Sequence, residues 1–197
     1  MNMALRLPGM TREQFFDWAS ADGGRYEFDG TRPVAMTGGS RNHNRIALAL
    51  HRALFSRLQG GRWEALAQDA GLATVGNTVR YPDGLVAPMQ AEGEARLISD
   101  VIVVFEVLSP SSGRSDRIVK IREYRAVASI RRYVILEYTS MGLTVLVRED
   151  GGDDWTATTL FADDTLSMPE IGIELPVAEL YAGVDLSDVA ADEPTDG

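Results

Sequence analysis

Apolar residues are most densely grouped in one stretch near the middle of the chain. The run Val101 to Phe105 is unbroken, and a carboxylate, Glu106, follows inside the same apolar stretch. A continuous Val/Ile-rich run predicts a strand that is buried on both faces. Because side chains alternate along a strand, Glu106 is expected to share a face with Ile102, Val104 and Leu108. A buried carboxylate is costly unless a cation or a basic side chain meets it, so this strand predicts a site as well as a core element.

The N-terminal part of the chain predicts two helices separated by a hairpin. Thr11 to Gln14 has the pattern of a capping box, which opens a short helix that ends at Gly23-Gly24. Two short strands joined by an Asp-Gly turn are expected over residues 25–36. Ser40 is expected to cap the second helix, which runs to about Leu58 with apolar residues spaced by four.

The remainder of the chain predicts mostly strands around one further helix. Alternation predicts strands over 63–75 and 78–86, with Pro82 at an edge or a bulge. Ser115 or Asp116 is expected to cap the helix, which runs to about Val127. Further strands are expected over 133–136, 142–148 and 155–161, then a short apolar piece over 171–175 and a helical turn over 177–181. The predicted fold is α/β: a central mixed β-sheet flanked by helices on both faces, with extra β-hairpins.

Length and composition favour one soluble domain. A chain of 197 residues suits a single domain, which we place at 1–182, and the acidic residues 183–197 are expected to form a flexible tail. No apolar segment is long enough to span a membrane, and no signal-peptide pattern opens the chain. The absence of cysteine fits the cytoplasm, and no Gly-rich loop indicates a nucleotide cofactor.

Charge is unevenly distributed along the chain. The net charge is −10, but the segment from Glu149 onward contains 14 acidic and no basic residues, so the preceding part is mildly basic. That distribution permits binding to nucleic acid. The predicted helix that follows Ser40 and the loop after it are rich in arginine, which could contact a DNA backbone. Lys120 is the only lysine among the 19 basic residues, and lysine transfers protons where arginine does not.

Asp83 and Glu106 form the candidate chemical centre. Both acids lie in predicted strands, and neighbouring strands of one sheet could bring them side by side. Two close carboxylates repel each other unless a divalent cation bridges them, and oxygen ligands suit Mg²⁺. Such a cation supports phosphodiester hydrolysis, and a nearby lysine would neutralise charge that develops on the phosphate.

These residues, with their order and spacing, resemble the PD-(D/E)XK nuclease superfamily. The resemblance rests on Pro82-Asp83, on Glu106-Val-Leu-Ser-Pro110, and on Asp116, Lys120 and Tyr124. Within that superfamily the chain is most similar to the Uma-type family of restriction-endonuclease-like proteins. Tyr26-Glu27, Asp29-Gly30, Ser40, His43 and the stretch from Ser129 to Ile135 also follow the pattern of that family, and the similarity covers roughly residues 10–180.

The resemblance implies a Mg²⁺-dependent endonuclease that acts on DNA as a homodimer, with Mn²⁺ as a substitute metal. Asp83 and Glu106 would be metal ligands, together with the backbone carbonyl of Val107. The superfamily lysine would stand two positions after Glu106, where this chain has Leu108, so the resemblance assigns its role to Lys120 on the following helix. By the same resemblance Glu27 and His43 are further catalytic candidates.

Simpler interpretations of the same residues remain open. Glu106 could form an ion pair with an arginine, Asp83 could be a turn residue after Pro82, and Lys120 could pair with Asp116 or Glu123 on its own helix. The displaced lysine and the acidic C-terminal quarter also favour an alternative function, in which an inactive nuclease fold serves as a nucleic-acid-binding or protein-interaction module.

Overall fold

The computed structural model describes residues 9–90, 93–109, 114–149 and 152–186. Its helices are α1 (Arg12–Asp22), α2 (Arg41–Leu58), α3 (Arg114–Arg125) and α4 (Val177–Leu180). Its strands are β1 (Tyr26–Phe28), β2 (Pro33–Ala35), β3 (Trp63–Ala67), β4 (Leu72–Ala73), β5 (Val79–Arg80), β6 (Gly84–Pro88), β7 (Val103–Val107), β8 (Arg132–Leu136), β9 (Gly142–Arg148), β10 (Trp155–Phe161), β11 (Thr165–Met168) and β12 (Ile173–Pro176).

A six-stranded mixed sheet lies at the centre of the fold, in the order β10-β9-β8-β7-β6-β3. The apolar run forms β7, which pairs antiparallel with β6 and parallel with β8. All the other pairings in this sheet are antiparallel. The predicted α/β class, with helices on both faces of a mixed sheet, is therefore confirmed.

The two faces of the sheet bury different helices. Residues that alternate along β7, such as Phe105, pack against the apolar side of α2 together with the β11–β12 hairpin and α4. Val104 lies on the opposite face, in a cluster that contains Tyr124 of α3. Because side chains alternate, Glu106 shares the face of Val104 and is directed toward α3.

A smaller sheet, in the order β2-β1-β5-β4, packs against α1. The capping box is formed as predicted: Thr11 Oγ1 accepts a hydrogen bond from Gln14 N and Gln14 Oε1 accepts one from Thr11 N. Phe15 of α1 stacks on Phe28 of β1 with 4.9 Å between ring centroids. The hairpin β1–β2 is formed as predicted, and β1 pairs with β5, which leads into the central sheet.

Several predicted elements differ from the structure. The strand predicted over 63–75 is divided between β3 in the large sheet and β4 in the small one, and β11 was not predicted. The strand predicted over 78–86 is broken around Pro82 into β5 and β6, because proline cannot donate to a ladder. The helix α3 begins at Arg114, so Ser115 and Asp116 lie inside its first turn and neither is its N-cap.

The predicted acidic tail begins in contact with the folded domain. Val184 and Leu186 pack against the core, and Asn42 Nδ2 donates a hydrogen bond of 2.6 Å to the carbonyl oxygen of Asp185. Residues 187–197 lie outside the described part of the chain. Among the described residues, none of the helices combines the length and apolar character needed to span a membrane.

Candidate active site

Asp83 lies in the short link between β5 and β6, so it directly precedes a strand instead of lying within one. Its Oδ2 accepts a hydrogen bond of 2.8 Å from the backbone N–H of Val107, which attaches the link to the end of β7. Two histidines from one side of α2 contact the same residue. His43 Nε2 lies 3.3 Å from Asp83 Oδ2, and His51 Nε2 lies 2.7 Å from the Asp83 carbonyl oxygen.

Glu106 is buried on the α3 face of β7, with 8% of its surface exposed. Its Oε1 accepts hydrogen bonds from Lys120 Nζ at 3.1 Å and from the Tyr124 hydroxyl at 2.7 Å. Lys120 and Tyr124 are four residues apart on α3, so both project from the same face of the helix. The partner of Glu106 is therefore the chain's single lysine and not an arginine.

Lys120 reaches the site from α3, whereas the superfamily pattern places its lysine two positions after Glu106. Its Nζ lies between two carboxylates, 3.1 Å from Glu106 Oε1 and 3.3 Å from Glu27 Oε1. The structure does not pair it with Glu123, which is bound by Arg80. On the same helix Ile118 is exposed while Tyr124 is fully buried.

Glu27 enters the site from β1. Its Oε2 accepts a hydrogen bond of 2.8 Å from Arg80 Nη1, while its buried Oε1 has no hydrogen bond among the described residues. Arg80 and Glu123 were not among the predicted site residues. The available signal was a charged residue, Arg80, inside a short apolar strand, which is the same kind of signal that identified Glu106.

The charged residues line one cleft of about 510 Å³. The hairpin β1–β2, the segment 36–39, the first turn of α2 and the first turns of α3 form its walls. Asp83, Glu106, Glu27, His43 and Lys120 all line it, so the structure brings the five predicted side chains together. Val107, whose carbonyl was also predicted as a ligand, lines the same cleft.

Burial shapes the charges of this cluster. It raises the pKa of Glu106 to about 7, and the nearby Asp83 and Glu27 act in the same direction, while Lys120 and the hydrogen bond from Tyr124 oppose them. Burial alone would lower the pKa of Lys120, but the carboxylates of Glu106 and Glu27 raise it well above its usual value. Lys120 therefore remains an ammonium ion at neutral pH.

The pKa of His43 is raised by two carboxylates of the same cluster, those of Asp83 and Glu106. The hydrogen bond with Asp83 raises the pKa of His43 against the opposing effect of burial, and a main-chain hydrogen bond to Val107 adds to the rise. The imidazole thus contacts Asp83 and Val107, which are two of the three residues that the resemblance assigns to a cation. A bound cation and a protonated His43 would therefore compete for this position.

The donor set of the cleft fits a hard divalent cation. Within the described residues, no three side chains of His, Cys, Asp or Glu form a metal cluster by themselves. Mg²⁺ does not require one, because it is usually held by one or two carboxylates and takes its remaining ligands from water and phosphate. Glu27 Oε1, which lies 3.3 Å from Lys120 Nζ and accepts no hydrogen bond from the described residues, adds acceptor capacity to the same cleft.

The raised pKa of Glu106 predicts a specific dependence of stability on pH. Because this pKa rises from 4.5 to about 7 on folding, the folded state binds the proton more tightly than the unfolded chain. Its contribution to stability is present in full below the lower value and is lost as the pH rises through the higher one. Relative to Glu106→Gln, we expect the metal-free wild type to lose on the order of 3 kcal/mol of unfolding free energy across this window.

Urea denaturation in the presence of a chelator, at several pH values, measures this difference. The curves of unfolding free energy for the wild type and Glu106→Gln should diverge as the pH rises. Parallel curves would show that Glu106 ionises as easily in the folded protein as in the unfolded chain.

Comparisons with known proteins find similarity over most of the length of the chain. The family model Uma2, described as "Putative restriction endonuclease", matches residues 12–178. A relative described as "Uncharacterized protein slr1290", from Synechocystis sp. (strain ATCC 27184 / PCC 6803 / Kazusa), is 29% identical over 181 residues, which are 90% of this chain and 94% of the relative. A crystal structure described as a putative nuclease belonging to DUF820, from Anabaena variabilis ATCC 29413, superposes with a TM-score of 0.70. It is 14% identical and the match covers 88% of this chain and 98% of that one, so it shows a shared fold.

Proposed function

The chain belongs to the Uma2 family, and from this membership and the cluster of carboxylates around Lys120 we propose that it is a Mg²⁺-dependent nuclease that hydrolyses phosphodiester bonds in DNA. The observation that carries the proposal is the position of Lys120 Nζ, 3.1 Å from Glu106 Oε1 in a cleft that Asp83 also lines. A lysine displaced from the strand to a helix thus reaches the carboxylate that it would have to serve.

In this proposal Asp83 and Glu106 would hold the cation, with the carbonyl of Val107 as a further ligand. When bound, the cation would polarise a phosphoryl oxygen and lower the pKa of a coordinated water molecule. The ammonium of Lys120 would face the scissile phosphate and offset the negative charge that develops as water attacks phosphorus. Because its pKa is raised, Lys120 acts as an electrostatic and orienting group and not as a general base.

Glu27 and His43 have supporting roles in this proposal. Glu27 keeps Lys120 protonated and holds its amine 3.3 Å away on the side opposite Glu106. His43 stabilises the Asp83 carboxylate when no cation is bound, since its Nε2 lies 3.3 Å from Asp83 Oδ2. Entry of the cation would require the imidazolium to lose its proton or turn away.

The alternative function is an inactive nuclease fold that only binds partners, and it is favoured by the displaced lysine and by the acidic C-terminal quarter. The contact of Lys120 with Glu106 supports the nuclease over this alternative. The two functions are separated by incubating supercoiled plasmid and labelled oligonucleotides with the protein and Mg²⁺ or Mn²⁺. We expect cleavage that a chelator stops. Metal binding with no cleavage of single-stranded or duplex DNA or RNA would instead support the binding module.

The outer face of α2 is the best candidate for contact with the DNA backbone. The helix contains no acidic residue, and its side chains at Arg41, Arg45 and Arg52 are exposed along one side. The first turn of the same helix also carries His43, which lines the cleft, so the N-terminal end of α2 lies next to the acids. Arginine contacts to phosphate supply affinity that falls as salt rises.

Neutralising two of these arginines should therefore weaken DNA binding. We expect Arg45→Gln/Arg52→Gln to reduce the slope of log K against log salt by about 1.4–1.8, since each phosphate contact contributes about 0.7–0.9. Arg122→Gln/Arg125→Gln is the matched control, because both arginines are exposed near the C-terminal end of α3. Fluorescence anisotropy on labelled DNA over a salt series gives the slopes. Equal losses in both double variants would mean that α2 is not the contact surface.

A homodimer is part of the same proposal, because cutting both strands of a duplex calls for two active sites related by symmetry. Sedimentation equilibrium over a concentration series tests it, with a mass near twice the 21.5 kDa of one chain as the expected result. A monomer at all concentrations would restrict the protein to cutting one strand at a time.

A further inference from the structure

The helix that carries Lys120 is attached to the sheet by polar as well as apolar groups. Ile118 and Val119 point outward, with 55% and 37% of their surface exposed. On the buried side, Tyr124 belongs to the apolar cluster and Ile121 packs against it, while a carboxylate, Glu123, is buried beside them. A helix usually docks through an apolar stripe alone, whereas the position of α3 depends also on its hydrogen bonds and ion pairs.

Arg80 makes the strongest of those contacts. Its guanidinium binds Glu123 through two parallel hydrogen bonds of 2.7 Å, from Nε and from Nη2. Its remaining Nη1 donates to Glu27 Oε2 at 2.8 Å. The side chain is only 5% exposed. One buried arginine therefore joins β5, which carries it, to α3, which carries Lys120, and to β1, whose Glu27 lies 3.3 Å from Lys120 Nζ.

The contact between Arg80 and Glu123 matters because Lys120 lies on α3 and Glu106 lies on β7. A lysine on β7 itself would be fixed relative to Glu106 by the backbone of the strand. Lys120 is instead on a separate element, so the distance from its Nζ to Glu106 depends on how α3 is held. Glu123 lies three residues after Lys120 on the helix, close to the amine's own attachment point.

We propose that Arg80 and Glu123 are positioning residues of the site, which hold α3 and Glu27 so that the Lys120 amine stays between Glu27 and Glu106. This inference rests on the proposed nuclease function, but its structural part concerns Lys120 alone. Neither Arg80 nor Glu123 lines the cleft, and the pair reaches the site through Glu27, which Arg80 binds, and through Lys120, which shares α3 with Glu123.

A second buried pair provides a matched control. Arg132 is 7% exposed and binds Glu170 through Nε and Nη2 at 2.5 and 3.0 Å, in the same forked arrangement. Glu170 is outside the cleft that holds Lys120. Glu123→Gln and Glu170→Gln therefore make the same chemical change to a buried arginine fork, one beside the site and one away from it.

The single lysine of the chain allows its position to be followed without any assay of activity. In protein labelled with ¹⁵N at lysine Nζ, we expect one ammonium signal in the wild type, because the ammonium group is held by the carboxylates of Glu27 and Glu106. Glu123→Gln should shift or broaden that signal and increase the rate at which Lys120 is reductively methylated. Glu170→Gln should leave both unchanged. An unaltered signal and methylation rate in a folded Glu123→Gln protein would overturn the inference.

Steady-state cleavage of labelled DNA gives the second measurement. We expect Glu123→Gln to lower kcat about 10- to 100-fold with little change in KM, because a misplacement of about 1 Å at the site can cost 10²-fold. Glu170→Gln should retain the activity of the wild type. If the wild type does not cleave DNA, the proposed function fails and the lysine signal still decides the positioning role. If kcat falls equally in both variants, the Arg80–Glu123 pair is only structural.

Discussion

Lys120→Met should reduce the rate of DNA cleavage by about 10²–10³-fold, the usual loss when one group that stabilises developing charge is removed. Lys120 is the only lysine of the chain, and its Nζ lies 3.1 Å from Glu106 Oε1 and 3.3 Å from Glu27 Oε1. Methionine keeps most of the length and volume of the side chain but cannot neutralise a phosphate. Initial rates of cleavage at saturating DNA and Mg²⁺ measure the effect.

Loss of folding must be separated from loss of chemistry in this variant. Lys120→Met leaves the carboxylates of Glu27 and Glu106 buried without their shared cation, which destabilises the protein. Lys120→Met/Glu27→Gln removes one of those charges, so its thermal stability should recover toward that of the wild type while cleavage stays low. Recovery of cleavage in the double variant would show that Lys120 only balances charge and has no role in the chemistry.

Asp83→Asn should abolish cleavage at millimolar Mg²⁺ and weaken Mn²⁺ binding by more than about 100-fold. Loss of an outer partner of a metal site costs up to about 100-fold in affinity, and loss of a direct ligand should cost more. The amide oxygen of asparagine can still accept the hydrogen bond from the Val107 N–H, so the link before β6 should stay in place. The negative charge that draws a cation is lost. Isothermal titration with Mn²⁺ and the plasmid assay measure the two effects.

Asp116→Asn is the matched control for Asp83→Asn. Asp116 lines the same cleft, but its side chain is exposed in the first turn of α3. Because solvent screens an exposed charge, its neutralisation should change Mn²⁺ affinity by no more than about threefold. Equal losses of Mn²⁺ affinity in the two variants would indicate that the cleft attracts cations through its total charge and not through a defined ligand at Asp83.

Local sequence patterns predicted the parts of the fold that local forces determine. The unbroken apolar run predicted β7 and placed a buried acid on it, and the spacing of apolar residues after Ser40 predicted α2 with its bounds. Each of these elements is specified by its own residues, through burial, periodicity and capping. Glu106 could be identified as a candidate site residue because a carboxylate inside a buried strand is already unusual in the sequence.

Features that depend on tertiary pairing were not predictable in the same way. Alternation over 63–75 indicated strand structure but not that its two ends join different sheets. The pairing of Arg80 with Glu123 depends on how β5 and α3 meet, which neither segment specifies by itself. The family resemblance placed a lysine at Lys120, but only the fold brings its amine to Glu106.

A crystal soaked in Mn²⁺, with diffraction recorded at the manganese absorption edge, tests the proposed metal site most directly. One anomalous peak should appear within about 2.1 Å of oxygen atoms of both Asp83 and Glu106, at the distance expected for a hard divalent cation. His43 should then have moved from Asp83, and Lys120 Nζ should remain next to Glu106. No peak at millimolar Mn²⁺, with His43 still in contact with Asp83, would contradict the assignment of this cleft as a metal-dependent active site.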